Sequence, residues 1–130
     1  MIQTPRLLIT DDDRDFRETL GSVFEARGFE TILAADGTEA LAIVGQRSIH
    51  VGVVDFHMPR LNGLETVRRL RQQDICLPFI LVSAELTEAI RIQAEQFHVF
   101  SVLSKSVTIA EITKVVHRAM QDVYNWSPAN

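Results

Sequence analysis

Five short stretches rich in hydrophobic residues recur along the chain, at 6–10, 29–34, 51–55, 79–83 and 100–105. The first of them, RLLIT, is a continuous apolar run, which is typical of a strand that is covered on both faces. Between these stretches, apolar residues recur every three or four positions, which is the spacing of an amphipathic helix. The pattern therefore predicts five strand–helix units.

Capping signals mark where several of these helices begin and end. Asp13 is predicted to cap the first helix, and Asp15 to complement the helix dipole in the first turn. Gly28 suits the left-handed position after that helix. Asp36 and Glu39 have the spacing of a capping box, which predicts the start of the second helix.

Similar signals predict the last two helices. The stretch 85–97 has helical spacing, and Thr108 is the expected N-cap of the final helix. One face of the final helix is expected to carry Ile109, Ile112, Val116, Ala119 and Val123. Strands that are separated by crossover helices must pair in parallel, and five units are too few for an eight-stranded barrel. The sequence therefore predicts a three-layer α/β fold with an open, doubly wound sheet.

Composition narrows the classes of function. The chain has 130 residues and a net charge of −4, which fits one globular domain without the basic stripe of a nucleic-acid-binding protein. No apolar stretch approaches the ~20 residues of a membrane span, and MIQTPRLLIT lacks the pattern of a signal peptide. A single cysteine leaves no disulfide framework. We therefore expect a cytoplasmic protein that binds neither nucleic acid nor membrane.

Polar side chains stand at the end of four of the five predicted strands. Asp11 and Asp12 end the first strand, Asp55 the third, Ser83 the fourth and Lys105 the fifth. In an open α/β sheet the carboxyl ends of the strands meet at one edge, where sites form. Carboxylates suit Mg²⁺, a hydroxyl and an ammonium bind phosphoryl oxygens, and an aspartate can act as a nucleophile. This set predicts transfer of a phosphoryl group onto a protein carboxylate.

The stretches LLITDDD, VVDFHMPRLNG, ILVSA and LSK together resemble the receiver domain of bacterial two-component response regulators, in the CheY-like superfamily. The most specific of them is the Asp-x-x-Met-Pro-x-x-x-Gly run at 55–63. The resemblance implies a flavodoxin-like sheet with strand order 2-1-3-4-5 and five helices. It implies a receiver domain over residues 1–124, followed at 125–130 by a polar tail or the start of a linker.

The resemblance also implies a role for each site residue. Asp55 would be the phosphoacceptor. Mg²⁺ would be held by Asp12, Asp55 and the backbone carbonyl of His57, with Asp11 binding through a water molecule. Ser83 and Lys105 would contact the phosphoryl oxygens. His57 and Glu85 would flank the phosphoryl group and tune the lifetime of phosphorylation, although both residues could equally be solvated rim residues.

By the same resemblance, the phosphodonor would be a sensor histidine kinase or a histidine phosphotransfer protein. The domain would not be an enzyme beyond slow self-phosphorylation and autodephosphorylation. It would signal through the face of the fourth helix, fifth strand and fifth helix, to a downstream protein, to an effector domain outside this chain or to a second copy in a homodimer.

Two positions depart from the family pattern. Ser106 follows Lys105 where the family usually has proline, so a trans peptide bond is expected there. Val102 occupies the switch position that usually holds an aromatic residue, and conventional aromatic switching is not expected because valine can rotate little and has no hydroxyl group. Phe100 lies two residues earlier, so we expect it on the same sheet face as Val102, as a core residue.

Two other functions remain open from the sequence. One is a Mg²⁺-dependent phosphohydrolase of the haloacid dehalogenase type, because DDD at 11–13 could supply the Asp-x-Asp of that family. The short chain and the lack of paired acids after the lysine count against it. The other is a binding module that keeps the receiver fold but works without phosphorylation.

Overall fold

A computed structural model describes residues 2–128 as five strands that alternate with five helices. The strands are β1 (Arg6–Thr10), β2 (Glu30–Ala34), β3 (Val51–Asp55), β4 (Phe79–Ser83) and β5 (Ser101–Ser104). The helices are α1 (Arg14–Glu25), α2 (Gly37–Gln46), α3 (Gly63–Gln72), α4 (Glu88–Gln96) and α5 (Ile109–Tyr124). All five predicted strand–helix units are present.

The five strands form one parallel sheet in the order β2-β1-β3-β4-β5. The order reverses at β1, which pairs with β2 on one side and β3 on the other. A topological switch point of this kind opens a crevice beyond the carboxyl ends of the strands. The predicted three-layer, doubly wound fold is confirmed.

Successive residues of the central strands point to opposite faces of the sheet, as the period of two requires. One face packs into a cluster, called the α1/α5 cluster below, that contains Phe24 of α1 and Val116 of α5. The strand residues in this cluster include Leu7, Ile9, Val51 and Val53. The intervening residues Leu8 and Val54 pack into a second cluster, called the α2–α4 cluster below. This cluster contains Ala40 of α2, Leu64 of α3 and Ala94 of α4. The sheet is therefore covered on both faces, which is why its strands read as apolar runs.

The predicted caps are confirmed, because local side-chain chemistry decides them. Asp13 accepts hydrogen bonds from the backbone N–H groups of Asp15 and Phe16, and Asp36 accepts one from that of Glu39. Thr108 caps α5 in the same way. Gly28 has a φ of 92°, the left-handed conformation that glycine adopts without strain.

Three expectations about individual segments were wrong. The fourth helix begins at Glu88 rather than at residue 85, because Thr87 caps it and the preceding residues form a loop. Val123 is 49% exposed instead of sharing the buried face of α5. Phe100 and Val102 do not share a sheet face, since Phe100 packs with the α1/α5 cluster and Val102 with the α2–α4 cluster. The period of two does not extend to Phe100 because regular strand geometry begins only at Ser101.

The start of the predicted tail packs against the domain. The ring of Trp126 lies edge-on to Phe29, with centroids 5.3 Å apart, and also contacts the ring of His117. Ala129 and Asn130, the end of the predicted 125–130 tail, lie outside the described residues. Among residues 2–128, no helix is long and apolar enough to cross a membrane.

Candidate phosphoacceptor site

The period of two along the strands brings Asp11, Asp55 and Lys105 to the same side of the sheet edge. Asp55 is the last residue of β3, two positions after Val53 of the α1/α5 cluster. Asp11 and Lys105 each lie one residue past a strand, and their backbone N–H groups still donate across the sheet, to the carbonyls of Ala34 and Ser83. The regular geometry therefore continues to all three side chains, which converge beside α1.

Gly63 is required because α3 starts against the end of β3. Its backbone N–H donates to the carbonyl of Phe56 at 3.0 Å. A Cβ atom at position 63 would overlap the backbone carbonyl of Asp55. The MPRLNG turn can fold back under Asp55 only when no side chain stands there, and Asn62 then caps α3 through the N–H of Glu65.

Lys105 binds the buried carboxylates directly. Its Nζ lies 2.9 Å from Oδ2 of Asp11 and donates to Oδ1 of the same residue at 3.1 Å. Oδ2 of Asp55 is farther away, at 3.6 Å. The backbone N–H of Asp13 also donates to Oδ1 of Asp11, at 2.8 Å. The ammonium is therefore shared unequally, with Asp11 as its closer partner.

Burial and charge shift the pKa values of all three groups. Asp55 is 3% exposed, and burial together with the charge of Asp11 raises the pKa of Asp55 to about 6. Burial also raises the pKa of Asp11, although the N–H of Asp13 and the ammonium of Lys105 oppose this effect. Burial disfavours the charged form of Lys105, but Asp11 and Asp55 outweigh it and raise the pKa of that ammonium. The site therefore holds excess negative charge in a poorly hydrated place.

The three carboxylates fit a divalent cation. One oxygen from each of Asp11, Asp12 and Asp55 lies within 4.8 Å of the others. Within the described part of the chain, Oδ1 of Asp55 is buried without a hydrogen-bond partner, and Asp12 is exposed. Hard, anionic oxygen atoms grouped in this way are the ligands that Mg²⁺ and Ca²⁺ prefer.

The remaining predicted site residues differ in their burial and in their contacts. Ser83 is fully buried, and its hydroxyl donates to the backbone carbonyl of Glu85 at 2.7 Å. The side chains of His57 and Glu85 are exposed at the rim, and the ring of His57 lies against Phe56. Val102 is partly buried against the α2–α4 cluster.

The loop after β5 is held by two serines. The hydroxyls of Ser104 and Ser106 lie 2.7 Å apart, and the backbone N–H of Ser106 donates to Oγ of Ser104 at 3.3 Å. The residues between 2 and 128 contain no cis peptide bond, so the expected trans bond after Lys105 is confirmed. Ser106 thus supplies a backbone donor that proline would lack.

Comparison with known proteins identifies the family. The sequence model of the response regulator receiver domain family matches residues 7–117 of this chain, which is most of its length. The chain belongs to this family. As a receiver domain it is a module of two-component signalling, and receiver domains interact with histidine kinases and effector domains.

Individual relatives agree with this assignment. The chain is 29% identical over 116 residues to the regulatory protein AtoC of Escherichia coli K12, covering 89% of this chain but only 25% of AtoC. The Francisella response regulator 1452 receiver domain has a TM-score of 0.84 and 30% identity, covering 92% of this chain and 99% of that one. Chemotaxis protein CheY4 of Vibrio cholerae has the same fold, with a TM-score of 0.85 at 24% identity, over 89% and 98% of the two chains.

The haloacid dehalogenase alternative finds no support in this receiver domain. The family match is to a different class of protein, and Asp13 caps α1 instead of pairing with Asp11 at the site. Receiver domains are in general not classical enzymes.

Sequence reasoning missed two residues of α1 that border the site of the receiver domain. Arg17 donates from Nη1 to the backbone carbonyl of Asp11 at 2.6 Å. The ring of Phe16 lies under the ammonium of Lys105, with Nζ 4.8 Å from the ring centroid. The helical pattern indicated Phe16 only as an apolar position, because Lys105, which follows β5, is distant along the chain.

Proposed function

We propose that this receiver domain accepts a phosphoryl group on Asp55 in a Mg²⁺-dependent reaction and thereby changes its affinity for partners. The observation that carries the proposal is Oδ1 of Asp55, which is buried and has no hydrogen-bond partner within residues 2–128. This oxygen lies at the carboxylate cluster, and Lys105 stands beside the other oxygen of Asp55. An unpartnered carboxylate oxygen beside a fixed cation is suited to act as a nucleophile.

The proposed donor is a phosphohistidine of a sensor kinase or a phosphotransfer protein. An oxygen of Asp55 forms a bond to phosphorus while the phosphorus–nitrogen bond to the imidazole breaks. The electron pair of that bond stays on the imidazole nitrogen, which takes up one proton. Lys105 is positioned to neutralise the charge that develops on the phosphoryl oxygens, because its ammonium already lies between Asp11 and Asp55.

The residues present fit Mg²⁺, which would supply charge neutralisation for the transferred group. We propose that Asp12, Asp55 and the backbone carbonyl of His57 would hold the ion, with Asp11 acting through a water molecule. Asp12 is the exposed member of the cluster and Asp11 is tied to Lys105, which supports this division of roles.

Ser83 is proposed to bind the phosphoryl group after leaving its present partner. Its hydroxyl donates to the carbonyl of Glu85, so contact with a phosphoryl oxygen would break that bond and release the loop before α4. Val102 cannot act as a rotating aromatic switch. We therefore propose that this loop carries the signal to the face of α4, β5 and α5, where a downstream protein, an effector domain or a second copy would bind.

Mass spectrometry of the intact chain tests this function. Incubation with acetyl phosphate and Mg²⁺ is expected to add one phosphoryl group to the wild-type protein. Asp55→Asn should abolish the gain, whereas Asp122→Asn, an exposed change on α5, should leave it intact. If no phosphodonor phosphorylates the wild-type chain, the proposal fails and a phosphorylation-independent binding module becomes the better explanation.

The same preparation tests the tuning role of His57 and Glu85. Both side chains are exposed and border the loops beside Asp55 and Ser83, where they could restrict or orient water. We expect His57→Ala or Glu85→Ala to change the rate at which the added phosphoryl group is lost. Equal decay rates in the wild-type protein and both variants would show that these residues are only a solvated rim.

A further inference from the structure

Phe16 is the one aromatic residue among residues 2–128 whose ring faces the ammonium of Lys105. Its backbone is fixed at the start of α1, because the Asp13 cap accepts the N–H of Phe16. Its ring is half-buried and packs against the α1/α5 cluster. The ring therefore forms a rigid wall on one side of the site.

The ammonium of Lys105 has three neighbours, which are two carboxylates and one aromatic ring. Asp11 contacts Nζ at 2.9 and 3.1 Å, Asp55 at 3.6 Å, and the Phe16 ring centroid lies 4.8 Å away. The negative face of an aromatic ring attracts a cation within about 6 Å, most strongly where water is partly excluded. Lys105 is only 22% exposed, so this attraction helps to decide where the ammonium rests.

We propose that Phe16 is a positioning residue for Lys105. Its ring, together with Asp11, holds the ammonium at the edge of the carboxylate cluster, so that Nζ neighbours Asp55 without covering Oδ1. The inference rests on the proposed function, because the position of Lys105 matters most while Asp55 accepts a phosphoryl group. It assigns to α1 a part in the chemistry beyond supplying the cap and core residues.

The competing explanation is that Phe16 is only a core residue that happens to end near Lys105. The two explanations differ in what they require of the side chain. A core role needs apolar volume, which leucine also provides. A positioning role needs the charge distribution of the ring, which fluorination weakens while shape and hydrophobicity are largely retained.

The test replaces Phe16 with mono-, di- and trifluorophenylalanine, with tyrosine and with leucine, in the full chain. The same fluorinated residues at Phe97, the C-cap of α4, serve as the control. One readout is the ring-current shift of the ε-methylene protons of Lys105 in NMR spectra, recorded without Mg²⁺ or phosphodonor. The other is the rate of Asp55 phosphorylation by acetyl phosphate.

We expect the ring-current shift to shrink as fluorine atoms are added and to vanish in Phe16→Leu. The phosphorylation rate should fall in step, by about two- to fivefold in the trifluoro and leucine variants, the factor expected for one partly exposed cation–π contact. Phe16→Tyr should keep both signals, and the Phe97 series should change neither.

Rates that stay flat across the Phe16 series while the wild-type protein is phosphorylated would overturn the positioning role. Retention of the wild-type rate in Phe16→Leu would overturn it as well. A wild-type protein that accepts no phosphoryl group would instead overturn the proposed function, and the role of Phe16 with it. The two failures are thus distinguished by the unmodified chain.

Discussion

Asp55 is a carboxylate that the fold keeps from water. It is 3% exposed, and the carboxylates of Asp11 and Asp12 add negative charge nearby. Its pKa is raised to about 6, chiefly because burial penalises the charged form. The folded protein therefore binds more protons than the unfolded chain between the ordinary pKa of an aspartate and about pH 6. Stability without metal should consequently fall as the pH rises through this window.

Asp55→Asn should remove this pH dependence. In buffer with a metal chelator, the variant should gain about 2 kcal/mol of stability relative to wild type between pH 4 and pH 8, which is most of the effect of the raised pKa of Asp55. Urea unfolding at the two pH values measures the change. Asp122→Asn, which is exposed, should show no such change. A difference between Asp55→Asn and wild type that is the same at both pH values would contradict the assigned burial cost.

The contact between the end of β3 and the start of α3 depends on the absence of a side chain at Gly63. A Cβ atom there would overlap the carbonyl of Asp55, which is backbone and cannot rotate away. The sequence motif thus contains a glycine for a steric reason, and the position of Asp55 depends on how closely α3 approaches.

Gly63→Ala is expected to destabilise the domain by about 2–4 kcal/mol, because α3 or the β3 backbone must shift. Gly45→Ala is the matched control, since Gly45 lies in α2 with open space around its Cβ position. That change should be neutral or stabilising by up to about 1 kcal/mol, because alanine favours a helix. Chemical denaturation measures both variants, and a cost as small for Gly63→Ala as for Gly45→Ala would refute the steric argument.

The molecule as a whole concentrates negative charge at one end of its sheet. Carboxylates at the ends of β1 and β3 stand within 4.8 Å of each other, and Lys105 offsets only part of their charge. A cation that binds the folded state alone stabilises it by mass action. A metal ion bound at this charge cluster would therefore stabilise the entire fold.

Addition of about 10 mM Mg²⁺ should raise the melting temperature by about 3–5 °C if the dissociation constant is near 1 mM. Differential scanning fluorimetry against sodium chloride of equal ionic strength measures the effect. Asp12→Asn removes an exposed member of the cluster and should reduce the response. A melting temperature that does not respond to Mg²⁺ would count against a metal role for these carboxylates.

Much of this architecture follows from local rules that a sequence contains. Apolar runs predicted the strands because both sheet faces are covered, and the caps at Asp13, Asp36 and Thr108 depend on neighbours a few residues away. The period of two along a strand also explains why Asp11 and Asp55 share one side of the sheet edge.

Other features depend on how distant segments dock. The ring of Phe16 lies under Lys105, and Trp126 packs on Phe29, only because of the angles at which helices and tail lie on the sheet. Phe100 and Val123 departed from their expected faces at the ends of elements, where regular periodicity stops.

The chain alone therefore specified its strands, its caps and the residue types at the strand ends, because covalent geometry fixes their spacing. Tertiary packing decided which of those groups are buried, which pair with Lys105 and which oxygen of Asp55 has no hydrogen-bond partner within residues 2–128.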